Sequence, residues 1–219
     1  MKYFIDTEFI ESGPRHPIQL ISIGIVDENG CEFYRISSEF DASLASAWVR
    51  ANVLAQIPES EFRKSESLKE IAEQLKAFIG DDKEPEFWGY YADYDWVVFC
   101  QIFGAMIDLP KNCPMYCLDI RQLAHSMGNP PIPKQESDEH NALADARWNK
   151  TAYDFLTLVT PVRGTCTLSR DLWWCRKCKR GVGVDPDIMH DPEYFAGSWK
   201  FCPKCGSRMD WQSAGVESV

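Results

Sequence analysis

The sequence predicts an α/β domain, a mixed five-stranded sheet flanked by helices, with a small cysteine-rich unit after it. Three observations carry that reading. The first 37 residues hold three strand-like runs joined by turns. From Ser67 to Leu158 four segments carry apolar residues at helical spacing, interrupted by two short strand-like runs. Past Thr160 the composition shifts, and five of the nine cysteines fall in the last 57 residues.

Each element has a local reason. Tyr3-Phe4-Ile5 begins a strand that continues through Asp6-Thr7-Glu8-Phe9, and Ile18–Val26 is a β-branched run. Asp27-Glu28-Asn29-Gly30 ends in the Asn-Gly pair that closes tight hairpins, and Cys31–Ser37 alternates again, so three successive antiparallel strands are expected. Ser67–Ile79 sets Leu68, Ile71, Ala72, Leu75 and Phe78 on one helical face, with Gly80 as the stop. Phe87–Tyr91 and Met115–Leu118 read as short strands; Asp95–Gly104 and Asp119–Met127 read as the helices after them. Asn129–Pro133 is a proline-stiffened loop. Asn141–Leu158 is a long helix with a predicted stripe of Ala144, Trp148, Ala152, Phe155 and Val159. The order βββ-α-β-α-β-α-α gives a mixed sheet with helices against it.

The boundary is expected at Thr160–Gly164, where Pro161 and Gly164 stop the last helix, dividing the chain into residues 1–162 and 163–219. Net charge is −10 overall, −12 in the first part and +2 in the second. Such a balance argues against coating nucleic acid or an anionic membrane by charge alone, and leaves room for a local site. The opening MKYFIDTEFI carries two acids and is no signal-peptide core, and the longest apolar run, Trp96–Ile107, is broken by Gln101 and too short for a bilayer. A cytoplasmic protein without membrane contact is expected, its cysteines serving as metal ligands or buried thiols rather than disulfides.

Chemistry concentrates at three places in the first part. Asp6 and Glu8, two apart on a strand, leave the same face, and side-by-side carboxylates are costly to bury unless a cation neutralises them. Asp95, in Tyr91-Ala-Asp-Tyr-Asp95, falls at a strand-to-helix junction, where it also fits a helix N-cap; Asp93 competes with it. His140 and Asp145 form H-x-x-x-x-D at the start of the long helix, where Ala142 and Ala146 would let the helix approach another element closely. Each piece alone has an ordinary structural explanation.

Together, in this order, they resemble the DEDDh family of 3′→5′ exonucleases on the ribonuclease H-like fold, and DTEFIE followed by IQLISIGIV is most similar to a branch of small bacterial exoribonucleases. In that family an Asn often precedes the second-motif Asp; here Tyr90 or Tyr91 stands in that region, and Asp95 is preferred over Asp93 because it follows Tyr94 and opens the helix. The resemblance implies two Mg²⁺ or Mn²⁺ ions, about 4 Å apart, held by Asp6, Glu8, Asp95 and Asp145. It further implies that His140 takes the proton of the attacking water. The products would be nucleoside 5′-monophosphates, released from a single-stranded or overhanging 3′ end, with RNA favoured by the branch. Dimers are common in the family, so a homodimer is among the expected assemblies.

The resemblance stops near residue 160. Cys175-Arg-Lys-Cys178 and Cys202-Pro-Lys-Cys205-Gly206 form two thiolate knuckles, a pattern for one structural Zn²⁺ in a small zinc ribbon, with an Fe–S cluster the minor alternative and His190 a spare ligand. Arg176, Lys177, Lys179 and Arg180 lie among Trp173, Trp174, Trp199, Phe201 and Trp211, which suits either a grip on single strands or a structural or protein-docking module. The rival functions are a DNA-directed proofreading or repair exonuclease and a noncatalytic adaptor of the same fold.

Overall fold

The computed structural model describes residues 1–158 and, beyond them, the strand segments 164–169, 172–175, 181–182 and 209–210. The chain divides into two units, residues 1–122 with 133–153, and residues 123–132 with 154–219.

In the first unit strand β1 (Lys2–Ile10) lies at the centre of a five-stranded sheet with β2 (Gln19–Asp27), β3 (Glu32–Ile36), β4 (Glu86–Gly89) and β5 (Leu118–Asp119), ordered β3-β2-β1-β4-β5. β1, β2 and β3 are antiparallel, and β4 and β5 run parallel to β1, which makes the mixed five-stranded sheet that the sequence predicts. The Asn29-Gly30 turn closes the β2–β3 hairpin: Asp27 Oδ1 accepts from the N–H groups of Asn29 and Cys31, and Gly30 adopts φ 90°. Helix α3 (Leu68–Ile79) starts at a capping box between Ser67 and Glu70 and ends at Gly80, φ 59°. Its Ile71, Ala72, Leu75 and Ile79 meet Tyr3, Ile5, Ile23, Ile25 and Phe33 of the sheet. Helix α4 (Asp93–Ile102) adds Trp96, Val98 and Phe99 to the same core, and Phe87 has the rings of Tyr3, Trp96 and Phe99 at 5.3, 5.2 and 5.1 Å.

Three expectations need correction. Residues 42–66 contain two short helices, α1 (Ala47–Asn52) and α2 (Glu59–Phe62), that no periodicity announced, because helices of one to two turns carry none; α1 starts at a cap, where Ser46 Oγ accepts from Val49 N, and α2 follows Pro58. Met115 and Tyr116 are exposed and only Leu118–Asp119 pairs in the sheet; the following helix α5 (Ile120–Ser126) begins where Asp119 Oδ1 caps Gln122 N at 2.7 Å. In the long helix α6 (Ala142–Leu158) the buried stripe is Ala142, Ala146, Asn149, Ala152 and Leu156. Ala144 and Trp148 lie at its flank, because the contact selects small residues. No described helix is long and apolar enough to cross a membrane.

The second unit carries a sheet ordered β8-β7-β6-β9, with β6 Gly164–Ser169, β7 Leu172–Cys175, β8 Gly181–Val182 and β9 Met209–Asp210. Cys175 ends β7 and pairs with Cys166 of β6 across the ladder. Cys178, His190, Cys202 and Cys205 lie outside the described residues.

Candidate active site

All five predicted residues of the first unit come together around the C-terminal half of β1. The reason begins with backbone groups. β4 pairs with β1 only as far as Phe4, so beyond it backbone groups on that edge of β1 take side-chain partners, while the other edge stays paired with β2. Asn149 Nδ2 donates to the Ile5 carbonyl at 2.8 Å, tying α6 to the strand. Asp95 Oδ1 accepts from Thr7 N at 2.8 Å and from Thr7 Oγ1 at 2.6 Å, tying α4 to it. Asp95 is therefore the third residue of α4 and no N-cap; the cap position is Ala92, and Asp93 is exposed.

The approach of α6 is set by one glycine. Gly24 of β2 pairs with Asp6, and a Cβ there would overlap the backbone of Ala142 and Leu143. The start of α6 thus rests on the sheet beside Asp6, which places Asp145 over the face that Asp6 and Glu8 share. A register shift in β1–β2 after Glu8 ends the regular ladder at this point.

His140 precedes α6 in the left-handed region, φ 69°, with its ring edge-on to Trp48 at 4.7 Å between centroids. Its backbone N–H donates to Asp145 Oδ2 at 2.9 Å. Ligand atoms of Glu8, His140 and Asp145 lie within 4.8 Å of one another. On the far side, Tyr91 sits at φ 58° in the turn into α4, and Asp119 Oδ2 holds that turn through Ala92 N at 2.8 Å.

The electrostatics are one-sided. Burial pushes Asp6 well above the ordinary carboxylate range, and the charges of Asp95, Asp145 and Glu8 push it further. Glu8 is pushed up to about 8 by burial and then by Asp145 and Asp95. Asp95 is raised chiefly by burial although Thr7 opposes it, and Asp145 is raised by burial against the hydrogen bonds of Gln135 and His140. The charges that push Asp6 and Glu8 up are those of the neighbouring carboxylates, while His140 opposes the rise at Asp145. Four carboxylates gathered beside one another fit hard divalent cations such as Mg²⁺ or Mn²⁺.

Sequence reasoning passed over Thr7, Trp48, Asp119, Gln135 and Asn149. Thr7 looked like the spacer in D-x-E, and Asn149 like one polar residue in a helix. None carries a spacing signal: Thr7, Asp119 and Asn149 act through partners 88, 27 and 144 residues away, and Gln135 acts on Asp145 from a loop that has no period.

Known proteins share this arrangement of elements. The family model of the 3′-5′ exoribonuclease Rv2179c-like domain matches residues 1–157. Two curated proteins of Mycobacterium tuberculosis, the 3′-5′ exoribonuclease Rv2179c of strain H37Rv and the 3′-5′ exoribonuclease MT2234.1 of strain CDC 1551, are each 42% identical over 149 residues, covering 67% of this chain and 88% of theirs. Among solved structures, exonuclease I matches with a TM-score of 0.50 at 14% identity, over 74% of this chain and 44% of that one. Its product-bound form gives a TM-score of 0.51 at 14% identity, over 72% and 43%. These structural matches show the fold, and the chain spans less than half the length of exonuclease I.

Proposed function

Since this chain belongs to the 3′-5′ exoribonuclease Rv2179c-like domain family, we propose that it shortens RNA from the 3′ end by metal-dependent hydrolysis, releasing nucleoside 5′-monophosphates. Family membership makes the chain a 3′-5′ exonuclease. The substrate and the roles below are our reading. One observation carries them: four carboxylates from β1, α4 and α6 crowd together, each raised first by burial, and a histidine stands at their edge.

Asp6, Glu8, Asp95 and Asp145 would hold two Mg²⁺ or Mn²⁺ ions. When bound, such ions neutralise the scissile phosphate and help ionise the attacking water. Thr7 keeps Asp95 in place from the strand, and Asn149 keeps α6 against it. His140 takes the proton of the water as its oxygen forms the new bond to phosphorus. The bond from phosphorus to the 3′ oxygen of the preceding nucleotide breaks, and that oxygen regains a proton from solvent. Trp48 against the His140 ring and Asp145 on the His140 backbone N–H limit where the base can sit.

The substrate end is a single-stranded or overhanging 3′ terminus, and the setting is the cytoplasm. The net charge of −10 favours a short grip at that end over tracking along a polymer. In the second unit Cys175, Cys178, Cys202 and Cys205 hold one structural Zn²⁺, a reading supported by their two C-x-x-C pairs. Metal analysis of the purified chain should find one zinc.

The decisive experiment incubates the chain and Mg²⁺ with 5′-labelled RNA and DNA of matched sequence. A ladder on RNA is expected, absent in Asp6→Ala and His140→Ala. A ladder on DNA alone would make it a repair-type exonuclease; none on either, with Mn²⁺ also tried, would leave a binding module. Wild-type rates in both variants would overturn the mechanism.

A further inference from the structure

Gln135 belongs to no motif, yet its side chain reaches the carboxylate cluster. Its Nε2 donates to Asp145 Oδ1 at 2.6 Å and to the Ser137 carbonyl at 3.2 Å. The other oxygen of the same carboxylate, Oδ2, accepts from His140 N at 2.9 Å. Residues 133–140 therefore close on Asp145 with one donor for each oxygen. That segment is anchored in turn: Trp148 Nε1 donates to the Pro133 carbonyl at 3.0 Å, and Gln56 Nε2 to the Glu139 carbonyl at 3.2 Å. Asp138 and His140 sit at φ 58° and 69°, conformations that L residues hold only when their surroundings fix them.

A carboxylate near the start of a helix has several orientations open to it. One donor leaves it free to turn, whereas a donor on each oxygen fixes its plane. Each oxygen keeps a second lone-pair direction, so holding the carboxylate this way does not consume its capacity to bind a cation. The amide also supports the ionised form, working against burial.

We propose that Gln135 is a positioning residue for the divalent ion, holding the Asp145 carboxylate in the orientation that brings its oxygen within 4.8 Å of the ligand atoms of Glu8 and His140. The proposal rests on reading Asp145 as a metal ligand. Removing a hydrogen bond to a ligating carboxylate typically costs about 10–100-fold in metal affinity. A residue that acts through the ion's affinity leaves turnover largely intact once metal is saturating.

Calorimetric titration of the full chain with Mn²⁺ tests this, comparing wild type, Gln135→Met, Gln135→Ala and Asp145→Asn, each first checked for folding by circular dichroism. Gln135→Met keeps the side-chain length and loses the donor. About tenfold weaker Mn²⁺ binding is expected in whichever Gln135 variant folds. The Mn²⁺ concentration giving half-maximal RNA hydrolysis should rise by the same factor, with kcat retained at saturation. Unchanged affinity would overturn the proposal. So would tighter binding, which would make Gln135 an occluding group. Asp145→Asn separates the two levels: wild-type affinity there would refute the ligand reading and the proposal with it. Weakened binding in Asp145→Asn beside unchanged binding in the Gln135 variants would refute the proposal alone.

Discussion

Strand β1 presents two faces with opposite energetics. Tyr3 and Ile5, 1% and 0% exposed, point into the core built by α3 and α4, where their burial stabilises the fold. Two and four residues beyond Phe4 on the other face stand Asp6 and Glu8, whose carboxyls are pushed up by burial and by neighbouring carboxylates. Side chains of one strand alternate between a group that the fold needs and a group that the metal-free fold tolerates. The contrast teaches where a strand can carry catalytic charge: on one face, because the other face already fixes its position.

The largest effects separate the faces. Asp6→Ala should lower the hydrolysis rate on the order of 10³-fold, the scale for losing a group that stabilises transition-state charge. It should leave the metal-free chain at least as stable as wild type, because it removes a buried like charge. Ile5→Ala should instead cost about 2–5 kcal/mol of stability through the lost contacts and the cavity left behind. Initial rates on labelled RNA and urea unfolding in chelator measure the two quantities. Equal destabilisation by both substitutions would break the comparison.

Gly24→Ala joins the two faces in a smaller effect. A Cβ on Gly24 meets backbone, at Ala142 and Leu143, so α6 must move off the sheet. A cost of about 1–3 kcal/mol is expected, the range for overpacking a tight contact. Asp145 moves with α6, so the rate should fall as well, unlike in Ile5→Ala assayed under folding conditions. A variant that loses stability alone would show that the approach of α6 does not set the site.

Much of this was legible in the chain. Alternation and the Asn29-Gly30 turn announced the hairpin, Ser67 and Gly80 bounded α3, and D-x-E stood on its strand because period 2 puts both acids on one face. Small residues at Ala142 and Ala146 announced a close helix approach, and both are 0% exposed. The stripe read through Trp148 failed because size, and not hydropathy alone, selects the residues against Gly24. Thr7 and Gln135 stayed hidden for other reasons: a hydrogen bond spanning 88 residues, as from Thr7 to Asp95, leaves no pattern in either local sequence, and Gln135 reaches Asp145 from a loop that has no period. Short helices such as Ala47–Asn52 are set by single caps, below what periodicity can reveal.

The smallest effect reads the charged face by itself. In the metal-free chain Glu8 is pushed up to about 8, and Asp6, Asp95 and Asp145 are also raised, by burial first. In the unfolded chain such groups titrate near about 4. From about pH 4 to 8 the folded state thus binds more protons than the unfolded one, and its stability falls as pH rises through that window. Carboxylates elsewhere do not mimic this: Glu32 and Glu73, bonded to Arg147 and Lys76, are shifted down, so their contribution is already complete above about pH 5. The melting temperature in chelator should therefore drop by a few degrees between pH 5 and 8, since about 1 kcal/mol moves the midpoint of a chain this size by about 2–4 °C. Added Mg²⁺ should restore most of the loss at pH 8 and little at pH 5, because only the ionised cluster binds it. Glu8→Gln should flatten the slope in chelator, while Ile5→Val should lower the whole curve without changing it. A melting temperature flat from pH 5 to 8 would mean that the four carboxyls already share a compensating cation, and the two faces of β1 would then differ in chemistry but not in energy.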